Sequence, residues 1–162
     1  MVNSRLRSAR NIILAERTRF RTSQLTPSVG TLAVSLNNYM AKYTVLEKKA
    51  YKYALRLQMR GYHPAAIIAA GKSYYKKVGR SRPPSPHINS DKLRMKLSSL
   101  GQMYTQVNGN FLGCCAEVDA ADHVMTKLRH LAPNQVDFSN ARRPRTMQII
   151  PPCKNCKSTF SI

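Results

Sequence analysis

Between Tyr39 and Arg60 the apolar residues recur every three or four positions, at Tyr39, Tyr43, Leu46, Ala50, Tyr53 and Leu57, while Lys42, Lys48, Lys49, Lys52, Arg56 and Arg60 fall largely elsewhere on the wheel. That period predicts an amphipathic helix, ended by Gly61. Pro64 suits the first turn of a second helix through Ile67, Ile68, Ala69, Ala70 and Tyr74, closed by Lys76-Lys77 and Gly79. Upstream, Asn11 to Ala15 is a short strand candidate. Gly30 to Leu36, where Leu32, Val34 and Leu36 alternate with Thr31, Ala33 and Ser35, is another. The stretch from Thr22 to Gly30 is turn-rich, and Asn37-Asn38 closes the second strand.

Downstream, residues 79–90 carry Pro83, Pro84 and Pro86 and read as a Pro-rich surface loop. Ser90 then caps a helix on which Leu93, Leu97, Leu100, Tyr104 and Val107 share a face, and Asn108-Gly109-Asn110 turns the chain. A further helix opens at Cys115, with Ala120, Val124, Leu128 and Leu131 on one side. Met147, Ile149 and Ile150 mark a strand stopped by Pro151-Pro152. The pattern describes a single α/β domain over 1–162, with 1–20 as a basic arm.

Charge changes this picture more than composition does. The chain has 162 residues, 27 Lys plus Arg against 7 Asp plus Glu, and a formal net charge of +20. Such a surface attracts an acidic partner, and nucleic acid leads the candidates over an anionic membrane or an acidic protein. No apolar run approaches the roughly 18 residues of a membrane span, and the Arg-rich start lacks the apolar block of a signal peptide.

All four cysteines, Cys114, Cys115, Cys153 and Cys156, fall in the last third of the chain, which suits a local metal site better than a disulfide framework. Cys115 and Glu117 lie in the first turn of their helix, where N-H groups and the helix dipole favour a thiolate. Pro152 can open another helical turn, from which Cys153 and Cys156, three apart, can grip one ion. Three thiolates with a water in the fourth position are the stoichiometry of a catalytic zinc centre. A carboxylate beside the metal but outside its ligand set, as Glu117 would be, can move protons. Cys153 and Cys156 alone also fit a redox dithiol, and a zinc-stapled, noncatalytic nucleic-acid-binding module remains an alternative.

Cys115-Ala116-Glu117 followed by Pro152-Cys153-Lys154-Asn155-Cys156 resembles the signature of the zinc-dependent cytidine deaminase superfamily. The longer strings Gly113 to Ala120 and Pro151 to Phe160 resemble more narrowly the YwqJ-like deaminase domains of bacterial polymorphic toxins, a likeness covering about a third of the chain, from Asn108 to Phe160. The resemblance implies a deaminase-like mixed β-sheet flanked by helices. It implies Zn2+ on Cys115, Cys153 and Cys156, Glu117 as proton carrier, and hydrolytic deamination of a nucleobase, cytosine in nucleic acid or a nucleotide. Arg142, Arg143 and Arg145 are candidate contacts to substrate phosphates.

The same resemblance implies a monomeric toxin domain, delivered as part of a secreted bacterial protein, acting in the target-cell cytoplasm and neutralised by an acidic immunity protein. The superfamily carries further strands after the Pro-Cys-x-x-Cys helix, whereas six residues follow Cys156, so an atypical or truncated C-terminal side of the sheet is expected.

Overall fold

Ile67-Ile68-Ala69-Ala70-Gly71 is buried at every position. In the computed structural model, which describes residues 29–83 and 86–162, this run is the central strand β1 (Ile67–Lys72) and not a helix. It turns back through Ser73, at φ 51°, into β2 (Tyr75–Arg80), paired in register from Ile67↔Arg80 to Lys72↔Tyr75. The expected second helix over 64–79 is therefore a hairpin. A short run that is apolar on both faces satisfies either period, and here sheet burial decides.

The chain divides into two compact units, Met1–Asn38 and Tyr39–Ile162. Helix α1 (Val29–Met59) contains the predicted 39–60 helix but starts earlier, so the expected strand over 30–36 and the turn at Asn37-Asn38 are helical. Leu32 and Leu36 are as well spaced for a helix as for a strand. The strand expected at 11–15, the basic arm 1–20 and most of the 22–30 turn lie outside the described residues, as do Pro84 and Ser85 of the Pro-rich loop. That loop begins after β2, at Ser81.

Alternate positions of β1 point to opposite layers. Ile67 and Ala69 pack with Leu46, Ala50, Ala54 and Leu57 of α1. Ile68 and Ala70 join the larger core with Ala116, Ala120, Val124, Leu93, Leu97 and Phe160. These residues come from α2 (Asp91–Ser98), α3 (Ala116–Lys127) and α4 (Lys154–Phe160). The architecture among the described residues is thus an α/β fold with four α-helices and an open sheet. Helix α2 keeps its expected Ser90 cap but ends at Ser98. Beyond Gly101 the chain forms a two-stranded hairpin, β3 (Gln106–Val107) and β4 (Asn110–Phe111), around the expected Asn108-Gly109 turn.

The other edge of β1 meets β5 (Asp137–Phe138) and β6 (Ala141–Arg142), and β6 pairs with β7 (Ile149–Ile150), as expected for that apolar segment. Between β5 and β6 the Ser139 hydroxyl accepts from the Ala69 N-H at 3.0 Å, and the Ser139 N-H donates to the Ala69 carbonyl at 2.9 Å. A side-chain oxygen thereby continues the ladder across the break. The order is β2-β1-β6-β7, and every pairing among the described residues is antiparallel, where a mixed sheet was expected.

Candidate metal centre

Helices α3 and α4 both begin on a cysteine. Cys115 caps α3 and Cys153 caps α4, each with extended backbone. Caps favour Ser, Thr, Asp or Asn, so cysteine here is chosen for something other than capping. The Cys115 and Cys153 Sγ atoms are 3.5 Å apart, and all three sulfurs, with that of the buried Cys156, lie within 4.8 Å of one another. A disulfide would need about 2.05 Å. Four-coordinate zinc, with Zn–S near 2.3 Å, sets its sulfurs about 3.8 Å apart. The donor set and its spacing fit a metal ion such as Zn2+.

Hydrogen bonding among the three sulfurs favours the thiolate at Cys153. Its thiol is held well below the ordinary range because Cys115 hydrogen-bonds it, Cys156 does the same, and the backbone N-H groups of Cys156 and Asn155 add to both. Cys115 is pushed up, first by its bond to Cys153 and also by burial. Cys156 is pushed up by its bonds to Cys115 and Cys153 and by burial.

Glu117 is 5 % exposed. Burial raises its carboxyl above the ordinary range and the charge on Cys153 adds to this, while hydrogen bonds from its own backbone N-H and from Cys156 act against both. Its placement depends on how tightly α3 meets the sheet. A Cβ at Gly79 of β2 would lie 2.3 Å from the Ala120 N and 2.4 Å from the Ala116 carbonyl, so only glycine lets the first turns of α3 press onto β2.

Two further acids of α3 arrange the loop beside the centre. Asp119 accepts the Arg80 N-H at 2.9 Å and pairs with Arg82. Asp122 accepts the N-H groups of Asn89 and Ser90 at 3.0 and 2.8 Å. Fastened at both ends to one helix, the loop walls a shallow cleft lined by Arg82, His87, Ile88, Gly113, Val118 and Asp119, which reaches Cys115. Asp119 and Asp122 were not singled out from sequence, although their i, i+3 spacing on one helix was a usable signal.

The three arginines are not brought to one place. Arg142 donates to the Glu47 carboxylate of α1 at 3.0 Å and lies over the Tyr51 ring. Its charge is engaged on the α1 side of the sheet. Arg143 and Arg145 are exposed in the turn between β6 and β7. Compared with protein-family models, curated proteins and solved structures, the chain matches none.

Proposed function

We propose that this domain is a zinc-dependent hydrolytic deaminase of a nucleobase, related to the cytidine deaminase superfamily and resembling in its motifs the YwqJ-like toxin domains. The observation that carries the reading is the burial of Glu117 two residues after the cap Cys115. A purely structural three-cysteine staple has no need of a nearby buried carboxyl, and burying one is costly.

Bound zinc with three thiolate ligands would leave one position for water and lower that water's pKa. Glu117, with its raised proton affinity, takes a proton from the attacking water and returns it to the departing nitrogen. Water and an aminated base become a keto base and ammonia. A base would approach Cys115 from the cleft lined by Arg82, His87 and Val118. Arg143 and Arg145, with the excess of 20 positive charges, supply phosphate contacts if the base belongs to a polymer.

A toxin delivered into a target cell and restrained by an acidic immunity protein is the biological setting of this reading. The +20 charge also suits a noncatalytic nucleic-acid-binding module stapled by zinc. Zinc-loaded protein incubated with cytidine, deoxycytidine, single-stranded and duplex DNA, RNA and adenine-containing substrates, with products weighed, separates the two. Conversion of an amino base to its keto form supports the enzyme; tight binding with no conversion across the panel supports the module.

A further inference from the structure

We propose that Asn155, between the two cysteines of α4, is the positioning residue that sets the distance between the two halves of the metal centre. The proposal rests on reading Cys115, Cys153 and Cys156 as metal ligands, and not on deamination.

Asn155 is 2 % exposed, and its amide is used on both sides. Its Nδ2 donates to the Val107 carbonyl at 2.7 Å and, at longer range, to the Asn110 carbonyl at 3.4 Å, while its Oδ1 accepts from the Asn108 Nδ2 at 2.9 Å. All three partners belong to the β3–β4 turn. That hairpin has two paired positions, Gln106↔Phe111 and Val107↔Asn110, and both residues of β4 are exposed. A hairpin this short is not stable alone, so an external anchor fixes where its tip lies. From Phe111 only Leu112, Gly113 and Cys114 intervene before Cys115. The clasp therefore joins the segment that delivers Cys115 to the helix that delivers Cys153 and Cys156, and it does so from between those two ligands.

A leucine of similar size could fill the space but would leave the Val107 carbonyl and Asn108 amide without these bonds. Without the clasp, Cys153 and Cys156 keep their mutual geometry, which is local to α4, and Cys115 loses its registration against them. Residues that orient metal ligands typically contribute 10–100-fold to metal affinity.

Cobalt(II) titration of the full chain, followed by the sulfur-to-cobalt charge-transfer band and then by zinc competition, tests this. Asn155→Ala is expected to weaken cobalt and zinc binding about 10–100-fold and to lower the band's intensity per metal as the Cys115 thiolate drops out. Thr159→Ala is the control. It removes the bond from the Thr159 hydroxyl to the Asn155 carbonyl at 2.8 Å in the same buried helix, and it is expected to cost stability while leaving affinity and band unchanged. Should Asn155→Ala not fold, Asn108→Gly carries the test, since that residue is exposed, glycine keeps its φ of 51°, and the change removes one bond of the clasp. A several-fold loss of affinity is expected there. Wild-type affinity and band in the folded Asn155 and Asn108 variants, or an equal effect of Thr159→Ala, would overturn the proposal. Wild-type protein that binds no cobalt would overturn the metal centre along with it, an outcome distinct from absence of deamination by a loaded protein.

Discussion

Cys115 and Cys153 stand 38 residues apart in the chain, yet their sulfurs meet at 3.5 Å, each as the N-cap of its own helix. The separation is too long for a disulfide and suits two ligands of one ion. Cys156 completes the set from the first turn of α4.

One zinc per chain is therefore expected by elemental analysis of protein purified without chelator. Cys115→Ser, Cys153→Ser and Cys156→Ser should each lower that stoichiometry. Chelation should lower the thermal midpoint of the wild type, because a ligand at a hundredfold excess over its Kd stabilises the fold by about 2.7 kcal/mol. Equal midpoints with and without chelator would contradict the site.

Metal affinity should climb steeply with pH. Cys115 and Cys156 hold their protons above the ordinary thiol range, while Cys153 is held below it, so binding to all three thiolates displaces protons. Affinity should then rise about tenfold or more per pH unit, measured by competition with a chelator whose own pH dependence is known. A flat profile would show that the thiols are not the ligands.

Glu117 should destabilise the metal-free protein at high pH. Its carboxyl is raised in the folded state, so its contribution is fully present below the unfolded pKa and is lost as pH rises through the folded one. Glu117→Gln should therefore melt higher than wild type at pH 8, with the difference shrinking toward pH 4. Parallel melting curves at all pH values would place Glu117 in a wetter site than the structure gives it.

Gly79→Ala should be among the most damaging single-methyl additions to the chain. The new Cβ meets backbone atoms of Ala116 and Ala120, which cannot rotate away, so α3 must lift from β2. Overpacking of this kind costs about 1–3 kcal/mol or more. Chemical denaturation measures the cost, and zinc affinity should fall with it because Cys115 moves with α3.

The candidate site was legible in the sequence to the extent that it is local. Cys115 and Glu117, like Cys153 and Cys156, declare themselves by short spacings at helix starts, and the structure puts the three cysteines together. The roles of Asp119, Asp122 and Asn155 depend on partners 32 to 48 residues away, such as Ser90 and Val107, which no local pattern marks. Arg142 read as available charge because its partner Glu47 lies 95 residues earlier. In the fold, the helix over 39–60 was readable because one of its faces is polar. The β1–β2 hairpin was not, because the Ile67 to Gly71 run is buried from both layers and loses the alternation that distinguishes a strand.

The most direct test compares zinc-loaded wild type with Glu117→Ala on single-stranded DNA and RNA containing cytosine, with product bases weighed and zinc content checked in both proteins. The expected result is uracil from the wild type and none from the variant at equal zinc occupancy. Equal product from both proteins, or none from the fully loaded wild type on any base of either polymer or of the free nucleosides, would contradict the assignment of Glu117 as the proton carrier of a deaminase.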